Sequence, residues 1–278
     1  MINNKNIPRL IILGSKSFIA KSIIKKLQSK IEIIEISRDE IDFSKKKSSL
    51  KLHNYIKDHD SILFIAAKAP VKNTEMLIYN IQICQNICDV LINYKLDHFS
   101  YISSDAVYKD SDEELNEKSP AEPSSLHGLM HLTREKILET YFSEILLIIR
   151  PTLIYGDNDP HNGYGPNMFI RRAINKEDIN LFGKGEEKRD HVWVEDVAEI
   201  SSNLINDRYN GIVNITSGKV ISFFEIANLI QEKYISLKIN FLERKLPMPH
   251  KGYRAFNNNK IKLLYKDFNF KTFKDWIS

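Results

Sequence analysis

Cysteine is almost absent from this sequence, which has only Cys84 and Cys88 among its 278 residues. Two cysteines exclude the dense disulfide framework of small secreted domains. They stand one helical turn apart, and no further metal ligands lie near them in the sequence, so neither a metal site nor a redox pair is indicated. We expect both thiols to be small apolar groups on the buried face of a helix.

Long apolar runs and a strong excess of one charge are also lacking. No stretch approaches the ~20 apolar residues that cross a bilayer, and the N-terminus has no signal-peptide pattern. We therefore expect a cytoplasmic location and no membrane partner. The 40 basic and 36 acidic residues leave a net charge of +4, which is far from the strongly basic face of a nucleic-acid-binding protein. A hydrophobic content of 42% is typical of a soluble globular chain.

Short apolar runs alternate with amphipathic segments in the first half of the chain. The pattern predicts strands at 10–13, 31–37, 61–67, 98–103 and 145–149, the last ended by Arg150-Pro151, and helices at 17–27, 50–56, 74–94 and 123–142. Continuous apolar strands that alternate with helices are typical of a parallel sheet covered on both faces. The predicted fold class is α/β, a Rossmann-like doubly wound parallel sheet with a smaller interleaved C-terminal α/β lobe.

The character of the sequence changes after Pro151. Gly, Pro and Asn concentrate in residues 155–167, which predict a long loop, and loops of this length are usually functional. A helix from Ser222 to Tyr234 and a tail near Phe273 to Ile277 are predicted beyond it. We predict a dinucleotide-binding domain at 1–155 with return segments around 187–220, and a substrate lobe mainly at 156–278.

The first strand runs into a turn that is suited to phosphate. Gly14 permits a tight turn, and Ser17 and Ala20 are small residues at places where a dinucleotide-binding turn usually has glycine. Backbone N–H groups at the following helix N-terminus would face an anionic ligand. The cofactor contacts expected here and after the second and third strands are Gly14, Ser17, Phe18, Ile19, Ser37, Arg38, Asp42, Ala66 and Ala67.

The end of the second strand bears on the choice of cofactor. An acidic residue there binds the adenosine ribose of NAD, whereas an arginine accommodates the 2′-phosphate of NADP. Ser37 occupies the acidic position and Arg38 follows it, which favours NADP. Glu35 lies two residues earlier on the same face, so a register shift of two would favour NAD instead.

Several segments in order along the chain resemble the extended short-chain dehydrogenase/reductase family, specifically its nucleotide-sugar epimerases, dehydratases and reductases. They are the glycine turn, 65–67, 101–108, 150–156, and 181–186 running into 189–198. The resemblance implies hydride transfer between a sugar carbon and a nicotinamide. It also implies a catalytic Tyr-x-x-x-Lys pair on a helix and a hydroxyl residue on the preceding strand, to which Ser104 corresponds.

The tyrosine and lysine of that pair are replaced in this sequence. In the matching alignment His127 stands at the tyrosine position and His131 at the lysine position, and His131 would also be the cofactor contact. Three interpretations follow. His127 is itself the general acid/base, since imidazole titrates near neutral pH; the protein is a silent binder; or the two histidines bind a metal. Because Gly128 stands where His-Glu-x-x-His has glutamate, the pair is not a zinc-protease motif, and we predict no metal site.

The resemblance also implies the substrate side. Arg189 and Arg254 correspond to residues that approach the diphosphate, a role for which guanidinium suits phosphate oxygens. Asp105 and Asn167 are further candidate substrate contacts. Asp105 is present where 4,6-dehydratases have Asp-Glu, but Ala106 replaces the glutamate, so an epimerase or a reductase is favoured. A homodimer through helices 74–94 and 123–142 is implied as well.

We therefore expect an NAD(P)-dependent nucleotide-sugar epimerase or ketoreductase that uses Ser104, His127 and His131. The alternative is a catalytically silent dinucleotide or nucleotide-sugar binding protein of the same fold.

Overall fold

A computed structural model describes residues 9–278. Its strands are β1 (Arg9–Leu13), β2 (Glu32–Ile36), β3 (Ser61–Phe64), β4 (His98–Ile102), β5 (Leu146–Pro151), β6 (Leu153–Tyr155), β7 (Ile179–Phe182), β8 (Lys188–Trp193), β9 (Gly211–Ile215), β10 (Val220–Ser222), β11 (Ile239–Leu242) and β12 (Tyr253–Arg254). Its helices are α1 (Phe18–Leu27), α2 (Lys46–Ser49), α3 (Thr74–Leu91), α4 (Leu126–Phe142), α5 (Pro166–Ile174), α6 (Val194–Asn206), α7 (Phe223–Lys233), α8 (Asn259–Leu264) and α9 (Phe273–Ile277). Within residues 9–278 no helix is long and apolar enough to span a membrane.

The chain divides into two compact units. Unit 1 comprises residues up to 109, 119–151 and 197–214, and unit 2 comprises 110–118, 152–196 and 215–278. Unit 1 is built on one six-stranded sheet with the order β2-β1-β3-β4-β5-β9. The pairs β1–β2, β1–β3, β3–β4 and β4–β5 are parallel. The strand order reverses at β1, between β2 and β3, and ligands of such sheets bind at the carboxyl ends of the strands at this switch point.

Continuous apolar strands place the core of unit 1 on the sheet. Every residue of β3 and β4 is buried, which is the pattern of strands that are covered on both faces. Cys84 and Cys88 are fully buried in α3 and belong to this core, as predicted. The predicted Rossmann-like fold class is confirmed.

Some predicted boundaries of unit 1 were wrong. The strand predicted to stop before Arg150-Pro151 continues through both residues, and all six residues of β5 are buried. The segment predicted as a helix at 50–56 is a 3₁₀ turn over Leu50–Asn54, which directly follows the short helix α2. The 61–67 strand ends at Phe64.

Unit 2 has smaller sheets. In one sheet β8 pairs with β10, β12 and β6, and β11 pairs with β7 in a separate parallel pair. Its core gathers aliphatic and aromatic side chains of α5, α7 and α9, among them Phe169, Phe223 and Phe273. The capping box of Ser222 and Glu225 begins α7 one residue later than predicted. The predicted tail at 273–277 is helix α9, and the predicted loop ends at Gly165, because Pro166 opens α5.

Candidate functional site

The turn between β1 and α1 is shaped by Gly14. This residue has φ +104°, and a Cβ placed on it would lie 2.7 Å from the backbone nitrogen of Ala66. A side chain is therefore excluded by the backbone conformation and by contact with the segment after β3. The Ser17 side chain accepts a hydrogen bond from Ala20 N and begins α1. The turn leaves the N-terminus of α1 next to a close backbone approach, as a phosphate-binding turn requires.

A cleft with a volume of about 220 Å³ opens beside this turn in unit 1. Seven of the expected cofactor residues line it, whereas Phe18 and Ile19, in the first turn of α1, and His131 in α4 do not. The lining residues are Gly14, Lys16, Ser17, Ser37, Arg38, Ile41, Asp42, Phe43, Ile65, Ala66, Ala67, Lys68, Tyr79 and Ile83. The excluded Cβ of Gly14 and the apolar side chains that line the cleft fit a dinucleotide, since such sites combine close backbone approach with an apolar pocket.

Cations gather at one side of the cleft around Tyr79. The guanidinium carbon of Arg38 lies 5.8 Å from the centre of the Tyr79 ring, and Lys68 Nζ lies 5.5 Å from it. Both distances are within the range of cation–π attraction. Ser37 is buried and is bonded to Glu40, whose carboxylate accepts from the Ser37 backbone and hydroxyl. These two hydrogen bonds lower the pKa of Glu40, so a carboxylate does lie close to the position that Ser37 occupies.

Ser104 lies at the carboxyl end of β4. Its hydroxyl accepts from Ala106 N at 3.1 Å and begins the short 3₁₀ turn Asp105–Val107. Helix α4 begins against this turn, because a Cβ on Gly128 would lie 2.0 Å from the carbonyl oxygen of Ala106. Ser125 caps α4 by accepting from Gly128 N. Gly128 therefore lets the start of α4, which carries both histidines, contact the 3₁₀ turn that begins at Ser104.

The two histidines of α4 have different surroundings. Their rings contact edge to face, with centroids 4.8 Å apart. His127 is partly exposed, and its Nδ1 lies 3.5 Å from Val71 N. His131 is only 7% exposed, and its Nδ1 lies 2.8 Å from the Tyr101 hydroxyl. Burial and the neighbouring charges of His127 and Arg134 hold the pKa of His131 well below its ordinary value, so His131 is neutral.

Two buried arginines follow the histidines, and only one of them has a carboxylate. Arg150 in β5 donates from Nε and Nη2 to the Glu135 carboxylate at 2.9 and 2.5 Å, and Ser103 donates to the same group. This pairing accounts for the continuation of β5 through Arg150, because a buried charge is tolerated when it is paired and hydrogen-bonded. Arg134 is fully buried and donates to the carbonyl oxygens of Asn80 and Ala66.

The sequence pattern did not single out Arg134 or Tyr101. Arg134 lies three residues after His131 on a helix, and that spacing alone could have marked it as a neighbour of the histidine. Tyr101 lies on a different strand and becomes adjacent only through the fold.

Arg189 and Arg254 are neighbours in unit 2. The register of β8 and β12 places them opposite each other, and both are almost fully buried. Each already has a carboxylate, Glu187 for Arg189 and Asp110 for Arg254. The two guanidinium groups are therefore adjacent, and their positive charge is partly offset by these carboxylates.

Asn167 is engaged by the long loop. Its Oδ1 accepts from Gly156 N at 3.0 Å, and its Nδ2 donates to Asp159 at 2.6 Å. Arg171, one turn along α5, donates to the carbonyl oxygens of Asp159 and His161. In this conformation Asn167 holds the loop against the start of α5.

Metal ligands do not assemble in the part of the chain that the structure describes. Among residues 9–278 there is no group of three or more His, Cys, Asp or Glu side chains that could hold an ion.

Comparison with known proteins identifies relatives of the chain. Residues 10–216 match the NAD dependent epimerase/dehydratase family. A provisional UDP-glucose 4-epimerase of Methanocaldococcus jannaschii is 30% identical over 64% of this chain and 62% of its own length. GDP-mannose 3,5-epimerase of Arabidopsis thaliana is 27% identical over 68% of this chain and 54% of its own. The chain thus spans only about half to six-tenths of the length of these curated relatives.

Solved structures share the fold over almost the whole chain. UDP-N-acetylglucosamine 4-epimerase of Bacillus cereus has a TM-score of 0.80 at 21% identity, with 97% of this chain and 94% of that chain covered. UDP-glucose 4-epimerase of Thermus thermophilus, solved with NAD, has a TM-score of 0.81 at 19% identity, with 97% and 96% covered. At these identities the likeness concerns the fold.

Proposed function

Since the chain belongs to the NAD dependent epimerase/dehydratase family, we propose that it is an NAD(P)-dependent nucleotide-sugar epimerase or ketoreductase in which His127 moves the proton. The observation that carries the proposal is the close packing of the Gly128 turn of α4 on the Ser104 turn. This contact supports the proposal because α4, which carries His127, begins against the turn that starts at Ser104. The bound nicotinamide supplies hydride transfer at a sugar carbon.

The residues of unit 1 then have distinct tasks. The Ser104 hydroxyl, which already accepts from Ala106 N, binds the reacting sugar hydroxyl. His127, partly exposed, takes or returns the proton of that hydroxyl. His131 is neutral and buried, so it binds and positions and does not exchange protons. The absence of glutamate at Ala106 leaves no acid beside Asp105 for eliminating water, which favours epimerisation or reduction over 4,6-dehydration.

Removal of the His127 imidazole tests this assignment. In an assay with UDP-glucose, UDP-N-acetylglucosamine and GDP-mannose, each with NAD(H) or NADP(H), His127→Ala should lower kcat about 10²–10⁴-fold, the usual contribution of a positioned acid/base. Cofactor affinity should stay within about twofold. His53→Ala, which removes an exposed imidazole elsewhere in unit 1, is the matched control.

The silent-binder alternative is supported by the neutral, buried state of His131, which leaves no lysine-like cation at that position. It predicts nucleotide-sugar binding without turnover, and turnover created by His127→Tyr. That pair of results would contradict the catalytic proposal.

We propose NADP as the preferred cofactor. Arg38 and Lys68 flank Tyr79 at the cleft wall and together supply two cations for a 2′-phosphate. Titration calorimetry should give a lower Kd for NADP⁺ than for NAD⁺, and Arg38→Ala should weaken NADP⁺ about tenfold while changing NAD⁺ little. A preference for NAD⁺ that Arg38→Ala leaves unchanged would assign the ribose contact to the Glu40 carboxylate beside Ser37 instead.

On the substrate side we propose that the nucleotide diphosphate binds at Arg189 and Arg254. Their adjacency across β8 and β12 supports a bidentate phosphate site. Arg254→Met should raise the Kd for UDP about tenfold or more, because a charged hydrogen bond to phosphate is lost. The Kd for the cofactor should not change.

We also propose a homodimer through α3 and α4. Both helices expose apolar side chains, with Ile78 67% and Leu129 41% exposed, and removing exposed apolar surface from water favours association. Ile78→Glu should convert a dimer to a monomer in light scattering. Ile235→Glu, at an 88% exposed isoleucine of unit 2, should not.

A further inference from the structure

Arg134 is a buried cation without an ion pair. None of the ion pairs found among residues 9–278 includes it; its side chain is fully buried and donates to the carbonyl oxygens of Asn80 and Ala66 and to the Asn80 amide oxygen. The nearby Glu135 carboxylate is occupied by Arg150 and Ser103. A buried charge is costly unless it is paired or hydrogen-bonded. Here the guanidinium is hydrogen-bonded to neutral oxygens beside the proposed site.

The positive charge of Arg134 also acts on the Tyr101 hydroxyl. A nearby cation attracts the phenol oxygen and repels the phenol hydrogen, so the O–H points away from Arg134. Burial raises the pKa of Tyr101, although the Arg134 charge opposes the rise. The phenol therefore keeps its proton, and its O–H is available for one further acceptor.

That acceptor is Nδ1 of His131, 2.8 Å from the phenol oxygen. A neutral imidazole has one N–H and one bare nitrogen. Because Nδ1 accepts from Tyr101, the proton of His131 must be on Nε2. The Arg134 charge and the Tyr101 hydroxyl therefore determine the tautomer, because the phenol hydrogen points away from the cation and toward the histidine.

We propose that Arg134 and Tyr101 are positioning residues that fix His131 in its Nε2–H form, so that Nε2 donates to a hydroxyl of the nicotinamide ribose. This inference rests on the proposed function, since it assumes a dinucleotide in the cleft. It divides the role of the absent lysine between two groups. His131 supplies the N–H donor, and Arg134 supplies a permanent positive charge from inside the fold.

Arg134 also contacts the wall of the cleft. The Ala66 carbonyl that accepts from Arg134 at 3.0 Å belongs to the residue that Gly14 contacts. The same guanidinium thus fixes the segment after β3 by a hydrogen bond and favours one tautomer of His131 through Tyr101. Both effects contribute to the binding of the cofactor.

Nitrogen-15 NMR of the full-length protein tests the tautomer without any turnover. In histidine-labelled protein the His131 resonances, assigned by their loss in His131→Gln, should show a protonated Nε2 and a bare Nδ1 throughout pH 6–8. Tyr101→Phe removes only the hydroxyl and should give a mixture of tautomers. Tyr108→Phe removes a different fully buried hydroxyl, one bonded to Asn214, and should leave His131 unchanged.

Cofactor affinity tests the consequence. Tyr101→Phe should raise the Kd for NADP⁺ or NAD⁺ about 5–20-fold, whereas Tyr108→Phe should stay within about twofold. A proton on Nδ1 of His131 in the unsubstituted protein would overturn the inference even if Tyr101→Phe did not fold. An unchanged Kd in a folded Tyr101→Phe would overturn it as well. If the tautomer and affinities are as expected but no sugar nucleotide is turned over, the proposed reaction fails and this inference stands.

Discussion

His98 should make the protein lose stability in mild acid. The residue is 1% exposed at the start of β4, and its Nε2 lies 2.9 Å from the carbonyl oxygen of Tyr209. A carbonyl only accepts, so Nε2 carries the proton in the neutral ring. Burial lowers the pKa of His98 to about 4, and the charge of Arg208 acts in the same direction.

The magnitude follows from the two states of this histidine. Unfolding restores a pKa of about 6.5, so below that pH the unfolded chain binds a proton that the folded chain does not. The free energy of unfolding therefore decreases as the pH falls from 6.5 toward 4. At about 1.4 kcal/mol for each pH unit in this window, the loss from His98 reaches about 2 kcal/mol at pH 5 and about 3 kcal/mol at pH 4.

His98→Gln removes the titration and keeps an amide donor for Tyr209. Urea unfolding of both proteins at pH 7.5, 6, 5 and 4.5 should show a free energy of unfolding that declines less steeply for the variant. The difference between the two proteins should change by about 2 kcal/mol between pH 7.5 and 5. His53→Gln, at an exposed histidine, should run parallel to the unsubstituted protein. Parallel curves for His98→Gln would refute the assignment of a neutral buried imidazole.

Two glycines give further predictions. Gly128→Ala should destabilise the protein by about 3 kcal/mol or more in urea unfolding, because its Cβ would lie 2.0 Å from the Ala106 carbonyl oxygen; Gly163→Ala, which meets nothing within 4 Å, should cost nothing measurable. Gly14→Ala should weaken cofactor binding at least tenfold in titration calorimetry, because φ +104° and the contact with Ala66 N both oppose a side chain. Unchanged affinity would remove the turn from the cofactor site.

The parallel sheet was predictable because its strands are buried on both faces. Runs such as Ser61–Phe64 are apolar at nearly every position, and this pattern does not depend on knowing the neighbours. The end of β5 was not predictable in this way. Taken alone, the charged Arg150 indicates the end of a buried strand. Only the contact with Glu135 on α4 shows that its charge is paired inside the core.

The candidate site was predictable only in part, for a similar reason. Gly14 and Ser104 are in segments whose local pattern predicts their place. The long loop is different, because Asn167 could be a ligand contact or a loop contact, and its hydrogen bonds to Gly156 and Asp159 arise from how the loop folds on α5. Hydrogen bonds between distant segments carry no periodic signal in the sequence.

The spacing of His127 and His131 suggests two equivalent imidazoles, and the fold makes them unequal. One turn of helix separates a partly exposed ring from a ring that is 7% exposed and held by a buried phenol. Protonating His131 would require burying a second cation beside Arg134, which is why its pKa is held down. His131 therefore stays neutral near pH 7, and His131→Gln should remove no ionisation from the pH profile of kcat. If the pH profile of kcat instead showed two ionisations, and His131→Gln removed one of them, then His131 would be a second proton-transfer group.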